Sequence, residues 1–143
     1  MRFELPYNDV GRYGMKTNSS SLVAVTTNGR EVSVDPLRVK IMVVTEAFGS
    51  KSKAAEFLGV ARSQPGKWLS GEERPHPRAR RQIQDFDYVW DRLTDDRPVD
   101  AALVWLSSAN AFLSGATPLT WLKTRSAEAV IVAIDAEESG SFA

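Results

Sequence analysis

His76 is the only histidine in the 143 residues, and there is no cysteine. Disulfides, thiolate metal sites and cysteine nucleophiles are therefore excluded together. His76 lies in Arg74-Pro75-His76-Pro77, a proline-flanked link with no second imidazole to share a metal, and reads as a solvent-facing loop residue. No glycine-rich phosphate loop, paired-histidine spacing or nucleophile elbow occurs. Asp95-Asp96 and Glu137-Glu138 are adjacent carboxylates. Neighbours in sequence diverge on a helix, so these pairs read as solvated surface. Trp68, Trp90, Trp105 and Trp121 each fall on an apolar helical face, which suits core packing better than base stacking. The residues thus point to no catalytic group, no metal and no cofactor: a binding protein, not an enzyme.

One polar set does carry a mechanism. The segment from Lys51 to Gly71 has helix-turn-helix spacing, with Ala55 where two helices must cross closely and Gly59 four positions later at the sharp turn. Val60 and Trp68 then stand where core plugs are needed. Between them, Arg62, Ser63, Gln64 and Lys67 face outward at the start of the second helix, the end that enters a major groove in this motif. Arg62 and Lys67 can reach guanine edges or phosphates, and Gln64 can pair with adenine. Pro65 departs from the pattern, standing where a buried valine or isoleucine is usual, with Gly66 after it. Proline is harmless only within a first helical turn, so the second helix should start late, with Ser63 as its cap, and be short.

The elements that must position these residues follow from periodicity. Residues 1–35 read as a polar N-terminal arm, with a possible β-hairpin around Asn28-Gly29, a dipeptide favoured in type I′ turns, and Val23, Val25, Val32 and Val34 on one face. From Pro36, capped by Asp35, helical spacing takes over through Leu37, Ile41, Val44 and Phe48. Gly49 stops that helix, Ser50 caps the next, and Gly59 and Gly71 end the following two. Past Pro77, Ile83, Phe86, Val89, Trp90 and Leu93 mark a long amphipathic helix. Further helices are expected over Val99–Leu106, from Pro118 through Leu122, and over about Ala127–Glu138. The fold class is mainly α: residues 36–97 form a helix-turn-helix bundle and residues 98–143 a small α-helical domain.

Composition bounds the setting. With 43% hydrophobic and 25% charged residues, the chain has the profile of an ordinary soluble globular protein. No apolar run approaches the roughly 18 residues that cross a bilayer, and no signal-peptide pattern is seen, so a cytoplasmic protein without a membrane partner is expected. Eighteen basic and 18 acidic side chains cancel, which argues against a surface that embraces nucleic acid all round. Their distribution is uneven. Arg62, Lys67, Arg74, Arg78, Arg80 and Arg81 gather in the middle, and Glu128, Asp135, Glu137 and Glu138 near the end, as if two surfaces served two partners.

The second half carries a resemblance. Thr117-Pro-Leu-Thr-Trp-Leu-Lys-Thr124, then Ala127-Glu-Ala-Val-Ile-Val-Ala-Ile-Asp135, then Glu138-Ser-Gly-Ser-Phe-Ala143 resemble the toxin-binding domain of Xre/MbcA/ParS-type antitoxins. That family also places a helix-turn-helix upstream, so the resemblance spans about residues 36 to 143 and rests on the order of parts. It implies an antitoxin of a type II toxin–antitoxin system whose partner is a RES-domain toxin that consumes NAD. It further implies that the C-terminal region covers the toxin's active-site entrance, that the protein forms a homodimer, and that it represses its own operon by binding operator DNA. Carried over by position, the toxin contacts would be Pro118, Leu119, Trp121 and Leu122, with Glu138, Gly140 and Phe142 in the tail.

Two alternatives remain from the residues alone. One is a stand-alone helix-turn-helix transcriptional repressor, of phage type, whose second half only dimerises. The other is a structural adaptor that uses the hairpin as its interface.

Overall fold

Where the chain turns helical, the Asp35 carboxylate accepts a hydrogen bond from the Leu37 N–H at 3.1 Å. Pro36 takes the first turn, where its missing N–H leaves no bond unmade. In this computed structural model, which describes residues 22–25 and 31–140 and side chains from residue 35, that cap opens α1 (Pro36–Phe48). Gly49 ends α1 with φ of 83°, in the left-handed region that favours glycine. Ser50 then caps α2 (Lys51–Leu58) by accepting from Lys53 N–H at 3.1 Å. A turn over 59–63 leads into α3 (Gln64–Ser70).

These three helices pack on one another as the first compact unit, which ends at His76. Its core holds Ile41, Val44, Ala54, Ala55, Phe57, Leu58 and Trp68, with Phe48 stacked on Phe57 at 4.8 Å between ring centroids. Ala55 is fully covered, as close approach of two helices demands. Pro65 falls in the first turn of α3 and is buried, so it replaces the usual aliphatic plug without costing a hydrogen bond.

The hairpin is present as β1 (Leu22–Val25) paired antiparallel with β2 (Glu31–Val34), but in a different register from the one the turn dipeptide suggests. A two-residue loop at Asn28-Gly29 would pair Val25 with Val32. The strands instead pair Val25 with Glu31, Val23 with Ser33, Ala24 with Val32 and Leu22 with Val34. The slip of one position places Val32 and Val34 opposite Ala24 and Leu22, so the four valines do not form one cross-strand set. Asn28 and Gly29, like the arm before Leu22, lie outside the described residues.

The second unit begins at Pro77. It comprises α4 (Pro77–Thr94), α5 (Val99–Ser107), a 3₁₀ turn (Ala111–Leu113), α6 (Pro118–Thr124) and α7 (Glu128–Glu138). The apolar stripe of α4 (Ile83, Phe86, Val89, Trp90, Leu93) is buried against α5, α6 and α7. Sequence motifs put the boundary at residue 97, grouping this helix with the helix-turn-helix. Compactness divides the chain at His76 instead, because the stripe packs with the helices that follow it. Leu106, Leu113, Leu122, Val130 and Ile134 complete that core. Among the described residues no helix is long and apolar enough to cross a membrane.

Candidate nucleic-acid and partner-binding surfaces

The start of α3 presents the expected polar set unevenly. Arg62 and Ser63 are exposed, while Gln64 and Lys67 are partly covered. Ser63 stands at the N-cap position, yet its side chain makes no capping bond. Lys67 Nζ donates to Glu73 Oε1 at 3.3 Å, and the Glu73 backbone N–H donates to the Lys67 carbonyl at 3.2 Å. Hydrogen bonding from Gln64 and then from Lys67, with the Lys67 charge added, holds the Glu73 carboxyl below the usual range. Two of the four candidate DNA contacts therefore converge on an acidic residue just past the helix. Arg62 is left as the cation of that set that makes no ion pair among the described residues. At the far end of α3, Gly71 adopts φ of 80°, in the left-handed region that favours glycine; a Cβ there would meet only the mobile end of the Arg38 side chain.

In the second unit the α6 segment divides by face. Thr117 caps it, accepting from Thr120 N–H at 3.1 Å. Pro118 and Leu122, two of the expected toxin contacts, are buried in this unit and shape the segment from within. Leu119 and Trp121 are half-buried, and the Arg125 guanidinium lies over the Trp121 ring at 4.5 Å. Trp121 and Trp105 are thus not core tryptophans, whereas Trp68 and Trp90 are.

The end of α7 is tied down more firmly than a fraying tail. Trp105 Nε1 donates to Glu137 Oε2 at 2.7 Å, and Asn110 Nδ2 donates to Glu137 Oε1 at 3.2 Å. Asn110 is buried and accepts from the Phe112 N–H at 2.9 Å, which sets the 3₁₀ turn. Arg92 Nη2 reaches Asp135 Oδ1 at 2.6 Å and Glu138 Oε2 at 2.9 Å. These two hydrogen bonds, Asp135's first, push the guanidinium still further above its ordinary range. Glu138 therefore belongs to the folded helix, and Glu137 is a partly buried acceptor with two donors, not a solvated surface charge. Gly140 is exposed with φ of 69°. Phe142 lies outside the described residues.

Sequence reasoning missed Asn110, Glu137 and Arg92. Asn110 had a signal: an Asn before a short apolar run is a common turn-starter, since its side chain accepts from the backbone two residues on. The partners of Glu137 and Arg92 are 27 to 46 residues away, beyond any local pattern.

The class defined by these elements is a mainly helical chain, a three-helix unit with helix-turn-helix order followed by a second helical unit. No protein-family profile matches the chain, and no curated protein matches it. Among solved structures, a chain of the crystal structure of the M. tuberculosis MbcT-MbcA toxin-antitoxin complex is similar, with a TM-score of 0.64. The likeness covers 77% of this chain and 100% of that one at 23% sequence identity, which is a likeness of fold.

Proposed function

We propose that this chain is the antitoxin of a type II toxin–antitoxin pair, acting by binding and not by catalysis. The observation that carries this is the fold likeness to a chain of a toxin-antitoxin complex along that chain's whole length. In this proposal the second unit neutralises a NAD-consuming RES-domain toxin by blocking its active-site entrance. The contacts come from Leu119 and Trp121 on α6 and from the stretch that runs through Glu138 and Gly140 to Phe142. A partly exposed tryptophan, here with the Arg125 guanidinium over its ring, is a common anchor in such contacts. The first unit, as a homodimer in the cytoplasm, represses the operon through Arg62, Ser63, Gln64 and Lys67.

The test is co-expression with a NAD-consuming RES-domain toxin, sought first in the open reading frame adjacent to this one. Cellular NAD and growth should be preserved, and the two proteins should co-purify. Loss of NAD despite full-length protein would overturn the antitoxin role. Operator binding in that case would leave a stand-alone repressor.

A further inference from the structure

A cleft opens between the first half of α4 and the corner joining α6 to α7. Arg78, Arg81, Gln82 and Asp85 line one wall, and Lys123 and Arg125 stand on the other. The α4 residues recur at i, i+3, i+4 and i+7, so they share one helix face. Four of these side chains are cationic, against one carboxylate. Like charges gathered in a concavity raise its potential and concentrate anions there.

These cations make no ion pair among the described residues, in a unit where others do. Arg92 is paired with Asp135 and Glu138, and Arg97 with Asp96. Among the described residues Arg78, Arg81, Lys123 and Arg125 make no ion pair. Asp85 does not neutralise them all. Helix α7 has no side-chain cap of its own, and the Ala127 backbone N–H turns toward Asp85, which leaves only the field of Arg81 shared with it. Gln82 supplies an independent observation. Its Nε2 donates to the Lys123 carbonyl at 3.1 Å, bracing the two walls, while its Oε1 is buried with no donor among the described residues. The cleft is thus braced by Gln82 and short of negative charge.

We propose that this cleft binds a phosphate monoester or inorganic phosphate, whose oxygens are gripped by Arg78 and Arg81 and met by Lys123 and Arg125. Guanidinium forks match phosphate oxygens in pairs. The site adjoins the proposed toxin contact Trp121 through Arg125, but does not rest on the antitoxin role.

The test is titration of the full chain with inorganic phosphate, with adenosine monophosphate and with a short blunt DNA duplex lacking terminal phosphates, all at one ionic strength set by chloride. Binding is read by calorimetry and by tryptophan emission, because Arg125 lies over the Trp121 ring and its movement toward a ligand alters that fluorophore. Saturable binding of phosphate or the nucleotide is expected. Arg78→Ala with Arg81→Ala should weaken it about tenfold or more, as loss of charge-assisted bonds does, with unchanged melting. Asp85→Asn should strengthen it. Phosphate behaving as chloride does, or binding indifferent to the arginine pair, would overturn the site. Binding of the duplex alone, lost with the arginine pair, would overturn it in favour of a backbone contact.

Discussion

The Trp105 indole N–H donates to Glu137 Oε2 across 2.7 Å, joining α5 to the last turn of α7. The other carboxylate oxygen takes the amide of buried Asn110. Removing the carboxylate strands two donors at once, and bonds to a charged acceptor with a buried partner are worth about 1–3 kcal/mol. Glu137→Ala should lower stability by about that amount in denaturant melts, and Glu137→Gln by clearly less. Equal melts for parent and Glu137→Ala would show that the bridge contributes nothing.

Trp68 anchors the other unit, 3% exposed, with its Nε1 buried and unpartnered among the described residues. Trp68→Ala should cost about 3–5 kcal/mol, as truncation of large aromatics does. Trp68→Phe separates packing from polarity. It leaves a smaller void and removes the orphaned N–H, whose burial costs about 1–3 kcal/mol, so its loss should be well under half that of alanine. A phenylalanine variant as unstable as the alanine one would show that the indole's size alone matters.

The helices were legible in the sequence because their ends are local chemistry. Asp35, Ser50, Gly49, Gly59, Gly71 and Thr117 act within a few residues of where they sit. The hairpin existed but slipped by one position, since register depends on a loop length that the Asn-Gly dipeptide does not determine alone. Surface chemistry was the least legible. Helical spacing places Pro118 and Leu122 beside Leu119 and Trp121 in one motif, yet only packing against the rest of the unit decides that the first pair is buried. The same holds for Glu137 and Glu138, which read as solvated until Trp105, Asn110 and Arg92 arrive from distant segments.

Glu73 bears on DNA binding because it holds Lys67 and, through its hydrogen bond, Gln64. A carboxylate beside a groove-facing helix also repels phosphates. If α3 reads an operator, Glu73→Gln should tighten binding several-fold, with the largest gain at low salt, since exposed charges are screened as ionic strength rises. Arg62→Ala should weaken it. Mobility-shift titrations at several salt concentrations check both. Operator binding that ignores Glu73→Gln and Arg62→Ala alike would remove α3 from the groove.

Asp85 gives the second unit a pH dependence of definite sign. Desolvation raises its carboxyl above the ordinary aspartate range, outweighing the opposing pull of Arg81 and of the Ala127 N–H. The folded state therefore holds this proton more tightly than the unfolded chain. The resulting stability is fully present below the unfolded aspartate value of about 3.9 and is lost as pH rises through the folded one. Asp85→Asn should melt above the parent at neutral pH and level with it near pH 3, by calorimetry across that range. A variant less stable than the parent at neutral pH would mean that capping of α7 outweighs desolvation.

The last expectation concerns where a toxin would be held. Because Glu138 is bonded to Arg92 and α7 runs to that residue, a truncation beginning at Glu138 removes a structural tie together with any plug. Cutting after Gly140 separates the two, since it spares the Arg92 bridges and removes only Ser141, Phe142 and Ala143. In the proposed mechanism that shorter chain melts as the full chain does but protects NAD poorly when co-expressed with the toxin. Phe142→Ala should behave in the same direction, because a single buried aromatic often carries about 2 kcal/mol or more of a contact. Trp121→Ala tests the α6 surface separately, with Leu122→Ala as the contrasting case. The first removes a half-buried anchor and should reduce toxin affinity more than stability, while the second empties a core position and should cost about 2–5 kcal/mol of folding. Full protection by the chain cut after Gly140, with protection lost in Trp121→Ala, would move the inhibitory contact from the tail to α6. Protection retained by both would place it on neither surface.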